Sequence, residues 1–194
     1  MTTAQPRPKF SYPEYIAREA AAEVKHEFIA GEVFPRPPRT LEHSALALSF
    51  GAELRTALIG KSCRVLGPDA RVLVDASGAA FYPDVSVAAG KFDSPPNDPA
   101  GYRNPIIVVE MLTETTEGYV RGTKAYHYRR VPSLMEYVMV SLSDRRVEVQ
   151  RRNDRGVWEI HSFVSGEIIE LASVGIRIPL DSVFVNPLES VVAS

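Results

Sequence analysis

Apolar and polar positions change rhythm several times along the chain, and each change predicts an element. Ser11 before Tyr12-Pro13-Glu14 supplies a capping side chain, an early proline and an early acid, so a helix is expected through Ala20-Ala21-Ala22. Glu27-Phe28-Ile29, Ala30-Gly31 and Glu32-Val33-Phe34 predict a short hairpin turning at the glycine, stopped by Pro35, Pro37 and Pro38. Thr40 caps a second helix with Leu41, Ala45, Leu48 and Ala52 on one stripe and Leu46, Phe50, Leu54 and Leu58 beside it. So much apolar surface predicts a well-buried helix. Gly60-Lys61-Ser62 ends it; Arg55 stands where a phosphate-binding loop needs its first glycine and no strand precedes, so the tripeptide reads as a terminating turn.

Strand-like stretches follow at Cys63 to Leu66, Arg71 to Val74, Ala80-Phe81-Tyr82 and, through Pro83-Asp84, Val85-Ser86-Val87. Lys91 to Tyr102, with Pro95, Pro96 and Pro99, predicts an exposed loop. Pro105 to Leu112 is a continuous apolar run broken only by Glu110, the pattern of a strand buried on both faces. Thr116 to Arg130 has a helical pattern ended by Pro132. Tyr137 to Val140 predicts another buried strand, and Arg146 to Arg151 alternates as a half-exposed one does. Asn153 to Gly156 turns into Val157 to Phe163, and short strands are expected near Glu167 to Leu171 and Gly175 to Ile178. Two helices before, and one within, a run of strands define an α/β or α+β domain on a mixed sheet.

Composition narrows the function. A chain of 194 residues holds one domain, here read as 10–187 with a lead at 1–9 and a tail at 188–194. The formal charge of −2 gives no global attraction to nucleic acid, so such contact needs a local basic face; Arg129, Arg130, Arg145, Arg146, Arg151, Arg152 and Arg155 are the densest basic residues. One cysteine, Cys63, excludes a disulfide framework and a cysteine-rich zinc site. No signal-like or membrane-length apolar run is seen, so a cytoplasmic protein with no membrane partner is expected.

The informative chemistry is an acid at the edge of each of two central strands, Asp84 and Glu110. A carboxylate is costly there unless a cation or hydrogen bonds compensate it. Two converging carboxylates, with a backbone carbonyl near Met111, suit a hard divalent cation. Lys124 follows on the next helix, in reach of an attacking water or a phosphate oxygen. The residues alone also allow Asp84 to be a turn former and Glu110 with Lys124 a plain salt bridge. His26, His43, His127 and His161 lack zinc-helix spacing, and His43 on an apolar helix reads as structural.

Tyr82-Pro83-Asp84-Val85, Val109-Glu110-Met111-Leu112, Thr116-Glu117-Gly118-Tyr119 and Arg121-Gly122-Thr123-Lys124 resemble the Uma-two-type restriction endonuclease family of the PD-(D/E)XK nuclease superfamily. So do Lys25 to Val33, His43, Leu134, Glu136-Tyr137-Val138 and Arg146 to Val149, so the resemblance spans roughly residues 10 to 185. It implies a restriction-endonuclease-like core, a central mixed sheet flanked by helices, with extra C-terminal strands. It implies a DNA endonuclease in which Asp84 and Glu110 bind magnesium, with manganese a substitute, and the protein pairs as a homodimer. The superfamily's usual lysine position is Leu112 here; the resemblance assigns its role to Lys124, and that of an extra metal-side acid to Glu32. Thr113-Glu114-Thr115-Thr116 replaces the family's Ser-Pro-Ser-Thr, and Val120 replaces an acid before Arg-Gly. Those departures carry the alternative of a catalytically weakened nuclease fold that serves as a nucleic-acid- or protein-binding module.

Overall fold

The computed structural model describes residues 8–185, so most of the expected lead, the whole of the expected tail and the last residues of the expected domain lie outside the described region. Helix α1 (Tyr12–Ala20) starts with a reciprocal Ser11–Glu14 capping box and stops two residues short of the expectation. The hairpin is β1 (His26–Ile29) and β2 (Glu32–Pro35), and its turn needs positive φ at Ala30 (48°) and Gly31 (91°), as a two-residue hairpin loop requires. Helix α2 (Leu41–Ala57) is capped by the Thr40 hydroxyl, which accepts from the His43 backbone N–H. Strands β3 (Cys63–Leu66), β4 (Arg71–Val74), β5 (Ala79–Phe81), β6 (Val85–Ala89), β7 (Gly101–Tyr102) and β8 (Pro105–Leu112) follow.

The next crossover is one irregular helix: α3 (Glu117–Tyr119), a π-helical turn over Val120–Lys124, and α4 (Ala125–Tyr128). In the wide turn the Ala125 N–H reaches back five residues to the Val120 carbonyl, which also accepts from the Tyr137 hydroxyl at 3.1 Å. Strands β9 (Glu136–Ser141), β10 (Arg146–Arg152), β11 (Trp158–Phe163), β12 (Ile168–Leu171) and β13 (Ile176–Pro179) and a final turn α5 (Leu180–Val183) complete the domain.

The central sheet has order β11-β10-β9-β8-β6-β3; β8 and β9 are parallel across the irregular helix, and the other neighbours are antiparallel. A five-stranded sheet of order β2-β1-β5-β4-β7 and the β12-β13 ribbon flank it. Alternation along β8 sends Ile107, Val109 and Met111 toward Leu46, Phe50 and Leu54 of α2, and Val108 and Leu112 toward Tyr128 and the smaller sheet. Glu110 shares parity with Val108, so it points at the crossover helix. Each fully buried Phe or Leu in these layers contributes about 1.5–3 kcal/mol.

Two expectations change. Only the His43, Leu46, Phe50, Leu54 stripe of α2 is buried, whereas Leu41 is 84% and Leu48 76% exposed, because the sheet covers one face of the helix and nothing among the described residues covers the other. The proline-rich segment is no plain exposed loop either. Asp98 is fully buried against Arg71 at 2.5 Å, Gly101 packs so closely on that carboxylate that a Cβ would collide with it, and Gly101–Tyr102 pairs parallel with β4.

Candidate active site

Pro83 carries the chain from β5 into β6, and the Asp84 backbone N–H donates to the Val109 carbonyl at 3.2 Å, fixing Asp84 beside the end of β8. Its carboxylate is 1% exposed. One oxygen, Oδ2, accepts from the Met111 backbone N–H at 2.7 Å. The other, Oδ1, faces the Arg39 guanidinium, Arg36 Nη2 at 3.4 Å and His43 Nε2 at 3.0 Å. Arg36 is itself anchored, donating to the Tyr82 carbonyl at 2.6 Å. Both arginines come from the short loop between β2 and α2, and His43 from the first turn of α2.

The second half of the site is a buried chain of charges. Lys124 Nζ lies 2.8 Å from Glu110 Oε1 and 2.8 Å from Glu27 Oε1. Tyr128 donates to Glu110 Oε1 at 3.1 Å, and Tyr119 to Glu27 Oε2 at 2.7 Å. Burial pushes the Glu110 carboxyl up, and the neighbouring Lys124 ammonium opposes that push. Burial alone would lower Lys124, but Glu110 and Glu27 outweigh it and raise the ammonium, so this lysine stays charged and is not a general base. Burial, with Arg36 and Lys124 nearby, pulls His43 down to about 4, which leaves its ring neutral near pH 7.

The two halves meet at a cavity of about 40 Å³ lined by Arg39, His43, Asp84, Glu110, Met111 and Lys124, among others. Both ring nitrogens of His43, which lines it, are buried without a hydrogen-bond partner. His43 Nε2 is close to Asp84 without the alignment a hydrogen bond needs. Unmet polar atoms at a small polar cavity are costly unless something else satisfies them. The donors, two carboxylates and a neutral imidazole, fit a divalent cation chemically. As they stand, however, no three His, Cys, Asp or Glu side chains among the described residues are gathered closely enough to hold one, and Arg39 occupies the approach to Asp84 Oδ1.

Asp84, Glu110, Met111 and Lys124 are therefore brought together from separate segments. The hairpin acid at Lys124 is Glu27; Glu32 lies on the same hairpin face opposite Ile29, two residue pairs nearer the turn. Glu27, Arg36 and Arg39 escape a reading of the sequence. The one signal for Glu27 was an acid inside the otherwise apolar Phe28-Ile29 stretch, and nothing local marks the two arginines. Glu114 is exposed, and Val120 is buried in the layer around Tyr128, so the Val120 departure serves packing.

The fold agrees with what the chain is similar to. The family model described as "Putative restriction endonuclease", Uma2, matches residues 12–181, and the chain belongs to that family. Two uncharacterized proteins of Synechocystis are 28% identical over 92% of this chain and 93% of the relative, and 31% identical over 73% and 81%. A crystal structure titled as a putative nuclease belonging to DUF820, from Anabaena variabilis, superposes with a TM-score of 0.68 at 14% identity, covering 84% of this chain and 91% of that one. That match establishes a shared fold. Among the described residues no helix is long and apolar enough to cross a membrane.

Proposed function

We propose that the protein is a divalent-metal-dependent DNA endonuclease whose centre is Asp84, Glu110 and Lys124. One observation carries the reading: these three side chains, buried and separated in sequence, meet at one polar cavity that retains unsatisfied donor atoms. Asp84 and Glu110 are the residues to hold magnesium, or manganese in its place. A strand residue directs its N–H and C=O to the same edge, so Met111, whose N–H serves Asp84 beyond the start of β6, aims its carbonyl at that edge as a third oxygen. When bound, the cation supplies Lewis-acid polarisation of the scissile phosphate and eases ionisation of water.

The chain's own residues do the positioning. Lys124, held charged by Glu110 and Glu27, orients the attacking water or balances charge on the phosphate in the transition state. Tyr119 and Tyr128 fix those two carboxylates and keep the lysine aligned. Water attacks phosphorus, one bridging P–O bond breaks, and no covalent enzyme intermediate forms. Glu32 adds negative potential from the turn end of the hairpin. Two copies of the chain would address two strands, which light scattering tests by its dimer mass.

Cleavage of duplex DNA with magnesium, lost in Asp84→Ala and Glu110→Ala, is the expected result. No cleavage across diverse sequences and no metal binding would defeat the reading. Arg39 seated on Asp84 favours the second reading, a nuclease fold kept as a binding module; DNA binding without metal and without hydrolysis would select it.

A further inference from the structure

The two arginines at Asp84 are held differently. Arg36 is tied to backbone carbonyls of Tyr82 and Pro83 and is only 10% exposed. Arg39 is 20% exposed and pairs with Asp84. Its backbone is restrained between Pro37-Pro38 and the Thr40 cap, while the residue lines two neighbouring cavities. One is the polar cavity of the site. The other is a groove of about 380 Å³ along α2, lined mostly by apolar residues such as Leu48, Val65 and Leu66, with Arg39, His43 and Asp84 also on its wall. The guanidinium thus has an adjoining space to enter on leaving the carboxylate.

Charge gives the direction of that movement. Asp84, Glu110 and Glu27 carry three formal negative charges, and Lys124, Arg36 and Arg39 three positive ones. The metal-free site is therefore balanced, and a divalent ion adds two charges next to Arg39. One phosphodiester and one hydroxide restore the balance. A guanidinium displaced from a carboxylate by a cation is matched in shape and charge to a phosphate.

We propose that Arg39 is a placeholder cation on Asp84 that gives way to the divalent ion and moves onto the substrate phosphate, so that metal and DNA bind cooperatively. The inference rests on the metal-dependent nuclease reading. Arg39 competes with the metal for Oδ1 when DNA is absent, and DNA removes the competitor. By linkage, metal tightens DNA binding by the same factor.

The test is manganese binding, followed by electron paramagnetic resonance of free ion and by calorimetry. It compares the full-length wild type, Arg39→Gln, Arg39→Lys and Asp84→Asn, each with and without a short duplex oligonucleotide carrying phosphorothioate linkages. Wild type should bind manganese weakly alone and about tenfold more tightly with the duplex. Arg39→Gln should bind it about tenfold more tightly than wild type without DNA and gain little from the duplex. Arg39→Lys, which keeps the charge, should retain the coupling. If Asp84→Asn abolishes binding but Arg39→Gln behaves like wild type, the placeholder role is wrong and the metal site stands. If no protein binds manganese in either condition, both fail together.

Discussion

On neighbouring strands of one sheet, Glu110 and Glu136 are both withdrawn from solvent, at 3% and 0% exposure, yet their surroundings differ in kind. Glu136 accepts from Arg151 at 2.8 Å, from the Ala172 and Ser173 backbone N–H groups and from the Ser173 hydroxyl. Its partners tie β9 to β10 and to the turn after β12. Glu110, with Asp84, instead faces a cavity edged by His43, whose ring nitrogens have no hydrogen-bond partner. Burial of an acid is common to both places. Complete satisfaction by protein groups marks the structural place, whereas the other borders a polar cavity beside unpartnered ring nitrogens.

Four perturbations test that contrast. Replacing Asp84 or Glu110 by alanine should lower DNA cleavage about a thousandfold or more, the scale of losing a main source of transition-state stabilisation, with an intact circular dichroism spectrum. Lys124→Met should cost about a hundredfold or more in cleavage rate, because Glu110 and Glu27 then meet without their cation. Glu136→Ala should do the opposite, destabilising the protein by about 2–4 kcal/mol in urea unfolding while leaving the rate per folded molecule unchanged. An activity loss in the folded Glu136→Ala protein would erase the distinction.

The smallest effect is in pH. His43 titrates at about 4 when folded against about 6.5 when unfolded, so between those values the unfolded chain binds more protons. Its contribution to stability is whole above about pH 6.5 and is lost as pH falls toward 4. Unfolding midpoints measured across that range should therefore decline more steeply for wild type than for His43→Gln. Parallel curves would show that His43 is not held neutral by its surroundings.

Much of the architecture could be read from local pattern, because the patterns are local in cause. The Ser11 and Thr40 caps, the turn at Ala30-Gly31 and the β-branched run of Pro105 to Leu112 each specify an element without reference to the rest. The reading fails where distant parts decide. The exposed face of α2 looks as apolar as the buried one until the sheet's position is known. Asp98 sits in a segment rich in prolines, and only its long-range partner Arg71 explains its burial. The same holds at the site: Asp84, Glu110 and Lys124 stand out as charges at strand ends or in a motif, but Arg39 and Glu27 arrive through the pairing of β1 with β5, which no local spacing encodes.

The wide turn at Val120–Lys124 sets a rule for how this protein can change length. A turn closed five residues back holds one residue more than an α-helical turn. Adding a further residue there, which an already widened turn cannot absorb, would swing everything after it by about 100°. Lys124 and Tyr128 would leave Glu110 together, although every residue with a chemical role would still be present. Insertions here should therefore silence the protein as thoroughly as substitution of its acids, whereas insertions in the exposed Asn153–Gly156 turn should pass unnoticed.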